Sequence, residues 1–130
     1  MLNNREVIFN QLKEIICDLL DVENDEVTTD TFIIRELEAE SIDLMELAIE
    51  IKKDFFKRQD SNSMSSDVIF LKNLRVDIIK FKSEDLEIKV ELKKKYSHLS
   101  YERIEEILLE LNKGPILKVS DVRDYIIANR

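Results

Sequence analysis

Ser41 is the residue of this 130-residue chain with the most to offer chemically. It stands in the run Leu37-Glu38-Ala39-Glu40-Ser41-Ile42-Asp43-Leu44, where an apolar helical pattern begins. A hydroxyl at a helix start lies outside the packed core and among backbone N–H groups that have no intrahelical acceptor. A phosphodiester formed there would sit at the positive end of the helix dipole. The plainer reading is that serine is a common N-cap and needs no modification. Local chemistry alone favours that plainer reading.

Other reactive groups are sparse. His98 is the only histidine and falls in the loop-like stretch Tyr96-Ser97-His98-Leu99-Ser100. Cys17 is the only cysteine and lies among apolar helix residues, where a thiol is usually a small hydrophobe. One His and one Cys do not make a tetrahedral zinc site unaided, so no metal is expected. A single glycine leaves no room for a phosphate-cradling Gly-rich loop. Glu36, Glu38 and Glu40 read as a solvated acidic run rather than a tuned acid/base pair. The residues point away from an enzyme.

Charge is divided along the chain. Residues 1–56 hold five Lys/Arg against fifteen Asp/Glu, a net of -10, and residues 57–130 hold fifteen against thirteen, a net of +2; together they make the overall -8. An acidic first half repels nucleic acid and anionic lipid. It is drawn instead to basic protein surfaces, although acidic surfaces also serve plain solubility. With 44% hydrophobic residues, one Gly and one Pro, the composition suits a compact, mostly helical protein. Apolar runs such as Val68 to Leu71 are too short for a bilayer. The N-terminus does not read as a signal peptide. A lone cysteine excludes an internal disulfide, and a cytoplasmic location is expected.

The elements that must position Ser41 follow from periodicity. Ile8, Leu12, Ile15, Ile16, Leu19 and Leu20 predict a helix over about Arg5–Leu20, with Asn4 as its N-cap. Asp21 to Phe32 is a polar loop anchored by Val22 and Val27, and long loops often lie near function. A second helix is predicted from Ser41 to about Phe56. Leu44, Leu47, Ala48, Ile51 and Phe55 form one apolar stripe, while Ile42, Met45 and Ile49 form another, displaced around the axis. A helix with only a core to face needs one stripe. The second either buries against later segments or stays exposed for docking.

Lys57 to Asp67 is polar and Ser-rich, the best linker candidate. Beyond it Val76, Ile78, Phe81, Leu86, Ile88, Val90 and Leu92 alternate, with Ser83-Glu84-Asp85 between the runs. This period favours a β-hairpin, although Glu and Lys between the apolar positions keep a helix open. Ser100 caps a predicted helix over Tyr101–Leu111, which Gly114 and Pro115 follow. A last helix spans about Ser120–Ala128, burying Val122, Tyr125 and Ile126.

Residues 4–55 resemble the first two helices of acyl carrier proteins, including the long loop between them. Val27-Thr28 matches a Val-Thr pair in that family's long loop, and Leu37 to Asp43 matches its Leu-Gly-Ala-Asp-Ser-Leu-Asp motif without gaps. Lys118-Val119-Ser120-Asp121-Val122-Arg123-Asp124-Tyr125-Ile126 is similar to the family's closing helix. The resemblance implies a mainly α, four-helix-type carrier whose Ser41 holds a covalent 4′-phosphopantetheine arm drawn from coenzyme A. The arm's thiol would carry acyl, polyketide or aminoacyl groups as thioesters. Partners would be a phosphopantetheinyl transferase and the enzymes that load and transfer acyl groups in fatty acid, polyketide or related bacterial biosynthesis.

In the same way Glu40, Asp43 and Glu46 would meet basic residues on those partners, and Ile42, Met45 and Ile49 would supply apolar contacts. Glu50 is added to this set by inference. Three departures stand out. Glu38 replaces the motif's Gly and Glu40 its Asp; Lys52 and Lys53 stand where acids are usual; and residues 57–115 form an insertion before the closing helix. One domain is expected, with residues 1–56 and 116–130 forming the carrier part. The helix near 101–111 would fill the place of the family's short third helix. The rest of the insertion would be a docking surface or a shield over the cargo, and the carrier a monomer. The alternatives are a helical adaptor that keeps the carrier fold without modification, or a non-catalytic subunit of an enzyme complex.

Overall fold

The computed structural model describes residues 3–56 and 64–130. Seven α-helices follow in order: α1 (Asn4–Leu20), α2 (Ser41–Phe55), α3 (Ser66–Ile69), α4 (Leu74–Ser83), α5 (Ile88–Lys95), α6 (Tyr101–Glu110) and α7 (Val119–Asn129). No strand occurs among the described residues; one isolated antiparallel bridge joins Phe32 to Lys118.

α1 buries Ile8, Leu12 and Ile16, at i, i+4, i+8, against α2 and α7. Its cap is Asn3 rather than Asn4: the Asn3 side chain accepts the Glu6 N–H at 2.9 Å. Asp21, at φ 54, closes the helix in the left-handed conformation that Asp tolerates better than most residues. The loop from Asp21 to Glu40 is held firmly despite its length. Ile33 N–H donates to Leu117 O, Val119 N–H to Thr31 O and Ser120 N–H to Thr29 O, each at 3.0 Å. Val27 and Ile33 are buried beneath it. The loop that leads into Ser41 is thus pinned to the segment that leads into α7.

The stretch expected to favour a β-hairpin is instead a pair of packed helices, α4 and α5. Its buried positions explain the difference. Leu74, Asp77 and Ile78 face inward on α4 and Leu92 on α5, followed by Tyr96, while Val76, Ile79, Leu86 and Val90 are exposed. The apparent alternation mixes residues from two helical faces. Asp85, at φ 57, makes the connection without glycine: Leu86 N–H donates to Phe81 O and Asp85 N–H to Lys82 O, closing α4 in a Schellman arrangement.

Asp77 lies inside this pair. Its carboxylate accepts the Tyr96 hydroxyl and the Lys95 ammonium, the latter at 2.8 Å. Burial and the adjoining Asp77 charge push the Tyr96 phenol far above its ordinary range.

α6 begins as expected, Ser100 Oγ accepting the Arg103 N–H at 3.0 Å. It packs against α5 and is followed by a 3₁₀ turn, Leu111–Lys113. The short element that comes after α2 and lies against α7 is α3, capped by Ser65. Of the linker candidate Lys57–Asp67, positions 57–63 lie outside the described residues, and Ser66 and Asp67 belong to α3. Buried side chains from all these helices except the 3₁₀ turns join one apolar cluster. No described helix is long and apolar enough to cross a membrane.

Candidate functional site at the start of α2

Ser41 is the first residue of α2, and the capping position belongs to Glu40. Glu40 is extended, at φ -98 and ψ 172, and its N–H donates to Asp43 Oδ2 at 2.8 Å. Asp43 stands three residues past the cap, where a carboxylate reaches back most easily and also suits the helix dipole. The Ser41 side chain is therefore not the N-cap. It is exposed, and it makes no hydrogen bond to any described residue. A free hydroxyl at a helix tip, facing solvent, has the room and the access that esterification to a phosphopantetheine arm requires.

The approach to Ser41 is a tight turn. Glu36 N–H and Leu37 N–H both donate to Phe32 O, Glu38 N–H to Ile34 O and Ala39 N–H to Ile33 O. Glu38 then takes φ 60. A motif with glycine here would meet this backbone at no steric cost, whereas a Cβ in the left-handed region costs about 1–2 kcal/mol. Glu38 occupies a position shaped for glycine. Ala39 is buried beside it, which anchors the turn directly before Ser41.

Beyond Ser41 the two stripes of α2 separate cleanly. Leu44, Leu47 and Ile51 are buried, whereas Ile42, Met45 and Ile49 are 60%, 61% and 62% exposed. Glu40 and Glu46 are exposed beside them. Asp43 is half-buried and committed in part to its cap. Glu50 is half-buried, 4.0 Å from Lys53, and lines a groove of about 460 Å³ with Glu14, Asp18 and Asp54. It belongs to the seam between α1 and α2 more than to the exposed stripe.

A second groove, of about 310 Å³, opens beside the first turn of α2. Leu44 and Ile34 wall it with Phe70, Leu71 and Leu74 from the segment after α3 and with Gly114–Leu117. Lys72 and Arg75 stand at its edge, Arg75 Nη2 donating to Gly114 O at 2.7 Å. Gly114, at φ 114, adopts a backbone that glycine alone enters freely.

His98 and Cys17 lie elsewhere. The Cys17 thiol is half-buried, 3.8 Å from Glu23 O, and burial pushes its pKa up, which lowers its reactivity. The His98 ring meets Tyr125 edge-on at 5.2 Å, its Nε2 is buried without a partner, and burial lowers its pKa to about 4. No group of acidic, His or Cys side chains among the described residues is arranged to hold a metal.

Residues 10–59 match the family model for a phosphopantetheine attachment site. This segment is similar to the attachment segment of carrier proteins. The group such a segment carries is 4′-phosphopantetheine, covalently held, and it supplies a terminal thiol. Over 52 residues the chain is 36% identical to an acyl carrier protein of Lactobacillus acidophilus, covering 40% of this chain and 65% of that protein. It is 40% identical over 52 residues to one of Rubrobacter xylanophilus, covering 40% and 64%, and 37% identical over 51 residues to one of Coprothermobacter proteolyticus, covering 39% and 62%. The chain thus spans a little under two thirds of the length of these relatives. No solved structure gives a significant match.

Of the residues singled out from the sequence, Glu40, Ser41, Ile42, Met45, Glu46 and Ile49 are exposed at and beyond the start of α2, whereas Asp43 and Glu50 are half-buried. Sequence reasoning missed the two acids that act locally: Asp43 as the reach-back cap, and Asp77 inside the α4–α5 pair. The spacing of Asp43 from Glu40 was a signal for the first. Nothing in the sequence marked Asp77 as buried.

Proposed function

We propose that the chain is a carrier protein that bears 4′-phosphopantetheine on Ser41 and presents thioester-bound acyl-type cargo to partner enzymes. The observation that carries this reading is the Ser41 hydroxyl, solvent-exposed at the first position of α2 and relieved of capping by Glu40 and Asp43. The helix dipole favours the phosphate at that point. The exposed carboxylates of Glu38 and Glu40 repel it, so the arm extends outward rather than lying along the turn.

Glu40 and Glu46 steer basic partner surfaces, and Ile42, Met45 and Ile49 hold the encounter through apolar contact. Asp43 contributes chiefly by fixing the helix start, and Glu50 by its negative charge at the seam. Partners of this chemistry are a phosphopantetheinyl transferase and acyl-loading and acyl-transferring enzymes. Residues 1–56 and the closing helix form the carrier unit in this reading, with the intervening helices as its specialised addition.

Intact-protein mass spectrometry after incubation with coenzyme A and a broad-specificity phosphopantetheinyl transferase tests the assignment. A gain of one phosphopantetheine that disappears in Ser41→Ala supports it. An unchanged mass across several transferases would favour an unmodified adaptor with the carrier fold.

A further inference from the structure

The outer face of α4 is an unusual surface for a chain of net charge -8. Val76 and Ile79 are 65% and 68% exposed, and Arg75, Lys80 and Lys82 are exposed around them. None of these three cations is paired with a carboxylate among the described residues; Arg75 is bonded to Gly114 O and the two lysine ammoniums have no partner. The one acid of α4, Asp77, is turned inward to Tyr96 and Lys95. The face is therefore cationic and apolar without compensation.

Its complement is present on the same chain. Glu38 and Glu40 just before α2 and Glu46 on its second turn are exposed beside Ile42, Met45 and Ile49, while farther along Lys52 and Lys53 are balanced by Glu50, 4.0 Å from Lys53, and by exposed Asp54. Along α4 Arg75, Lys80 and Lys82 come first, with Val76 and Ile79 between them, and exposed Glu84 and Asp85 follow. Laid parallel, the acidic first half of the α2 face opposes Arg75, Lys80 and Lys82 of α4. Apolar residues three apart, Ile42 and Met45 on one and Val76 and Ile79 on the other, meet at the centre.

We propose that the outer face of α4 docks the α2 face of a second copy of this chain, with the two helices parallel. Each copy contributes a different face, so the contact is heterologous. Two short helical faces bury less than a standard stable interface, so the association is weak and salt-sensitive. It occupies the α2 surface that the carrier reading assigns to enzymes, which makes the inserted helices a competitor for access to Ser41. The docking itself does not depend on Ser41 being modified.

Sedimentation equilibrium of the unmodified full chain is the test. In about 20 mM salt the weight-average mass should rise with protein concentration, and in about 0.5 M salt, where charges are screened within a few ångströms, it should return to the monomer value. Lys80→Glu with Lys82→Glu should weaken association roughly tenfold or more, as should Glu40→Lys with Glu46→Lys, and an equimolar mixture of the two variants should restore it. Circular dichroism confirms that both variants stay helical. A wild-type chain that remains monomeric in low salt overturns the proposal. So does association that survives either reversal, or a mixture of folded variants that fails to associate.

Discussion

Arg103 on α6 and Asp121 on α7 form a two-point ion pair, Nε to Oδ1 at 2.8 Å and Nη2 to Oδ2 at 2.9 Å. Asp121 is 1% exposed and also accepts the Lys118 N–H at 2.9 Å, so it caps α7 while receiving the guanidinium. Arg103 Nη2 donates further to Ile116 O at 2.6 Å. One arginine therefore ties α6 to α7 and to the segment that leads into it.

Removing Arg103 leaves Asp121 charged and buried. Arg103→Ala should cost about 3–5 kcal/mol of folding stability, the range for breaking rather than replacing a buried pair. Urea denaturation read by circular dichroism checks this. A loss under about 1 kcal/mol would show that water reaches Asp121 and that the tie is weak.

Glu38 is the site at which stability should rise. Its φ of 60 strains any residue with a Cβ. Glu38→Gly relieves that strain but adds unfolded-state entropy, so the net gain should be roughly 0.5–1 kcal/mol. Thermal unfolding at neutral pH measures it. Equal stability would mean that the turn relaxes around glutamate without cost.

His98 gives the fold a pH dependence of definite sign. Burial lowers its folded pKa to about 4 from an ordinary value of 6.5, so the unfolded chain binds a proton more readily than the folded one. Its contribution is full above pH 6.5 and is lost as pH falls through 6.5 toward 4, reaching about 3 kcal/mol for a shift of this size. Stability of the wild type and of His98→Gln, followed between pH 7.5 and pH 4 on an order-of-magnitude scale of roughly 1.4 kcal/mol per pK unit, should diverge accordingly. Parallel curves would place the titrating group elsewhere.

The two stripes of α2 should respond in opposite ways. Met45→Glu or Ile49→Glu, at exposed positions, should change stability by less than about 0.5 kcal/mol, while Leu47→Ala should cost about 2–5 kcal/mol. Chemical denaturation of the three variants makes the comparison. Comparable losses at Ile49 and Leu47 would show that the outer stripe is covered in solution.

The legible parts of the fold were those with a single clear period. α1, α2, α6 and α7 each carry apolar residues at helical spacing, and Ser100 capped α6 as read. α4 was misleading because one of its inward positions is Asp77, which removes an apolar residue from the core stripe, while exposed Val76 and Ile79 add two to the other face. The net pattern alternates although the backbone does not. At the site, the sequence could not distinguish Ser41 as cap from Ser41 as first helical residue. That choice depends on whether Glu40 or Ser41 takes the extended backbone, which the turn over Phe32–Ala39 decides.

Trypsin should release residues 36–52 as one peptide, between Arg35 and Lys52, and Ser41 is the only hydroxyl-bearing residue within it. After incubation of the chain with coenzyme A and a phosphopantetheinyl transferase, that peptide should gain the mass of one phosphopantetheine. A chain whose modification appears on any other peptide, or on none, would contradict Ser41 as the attachment point.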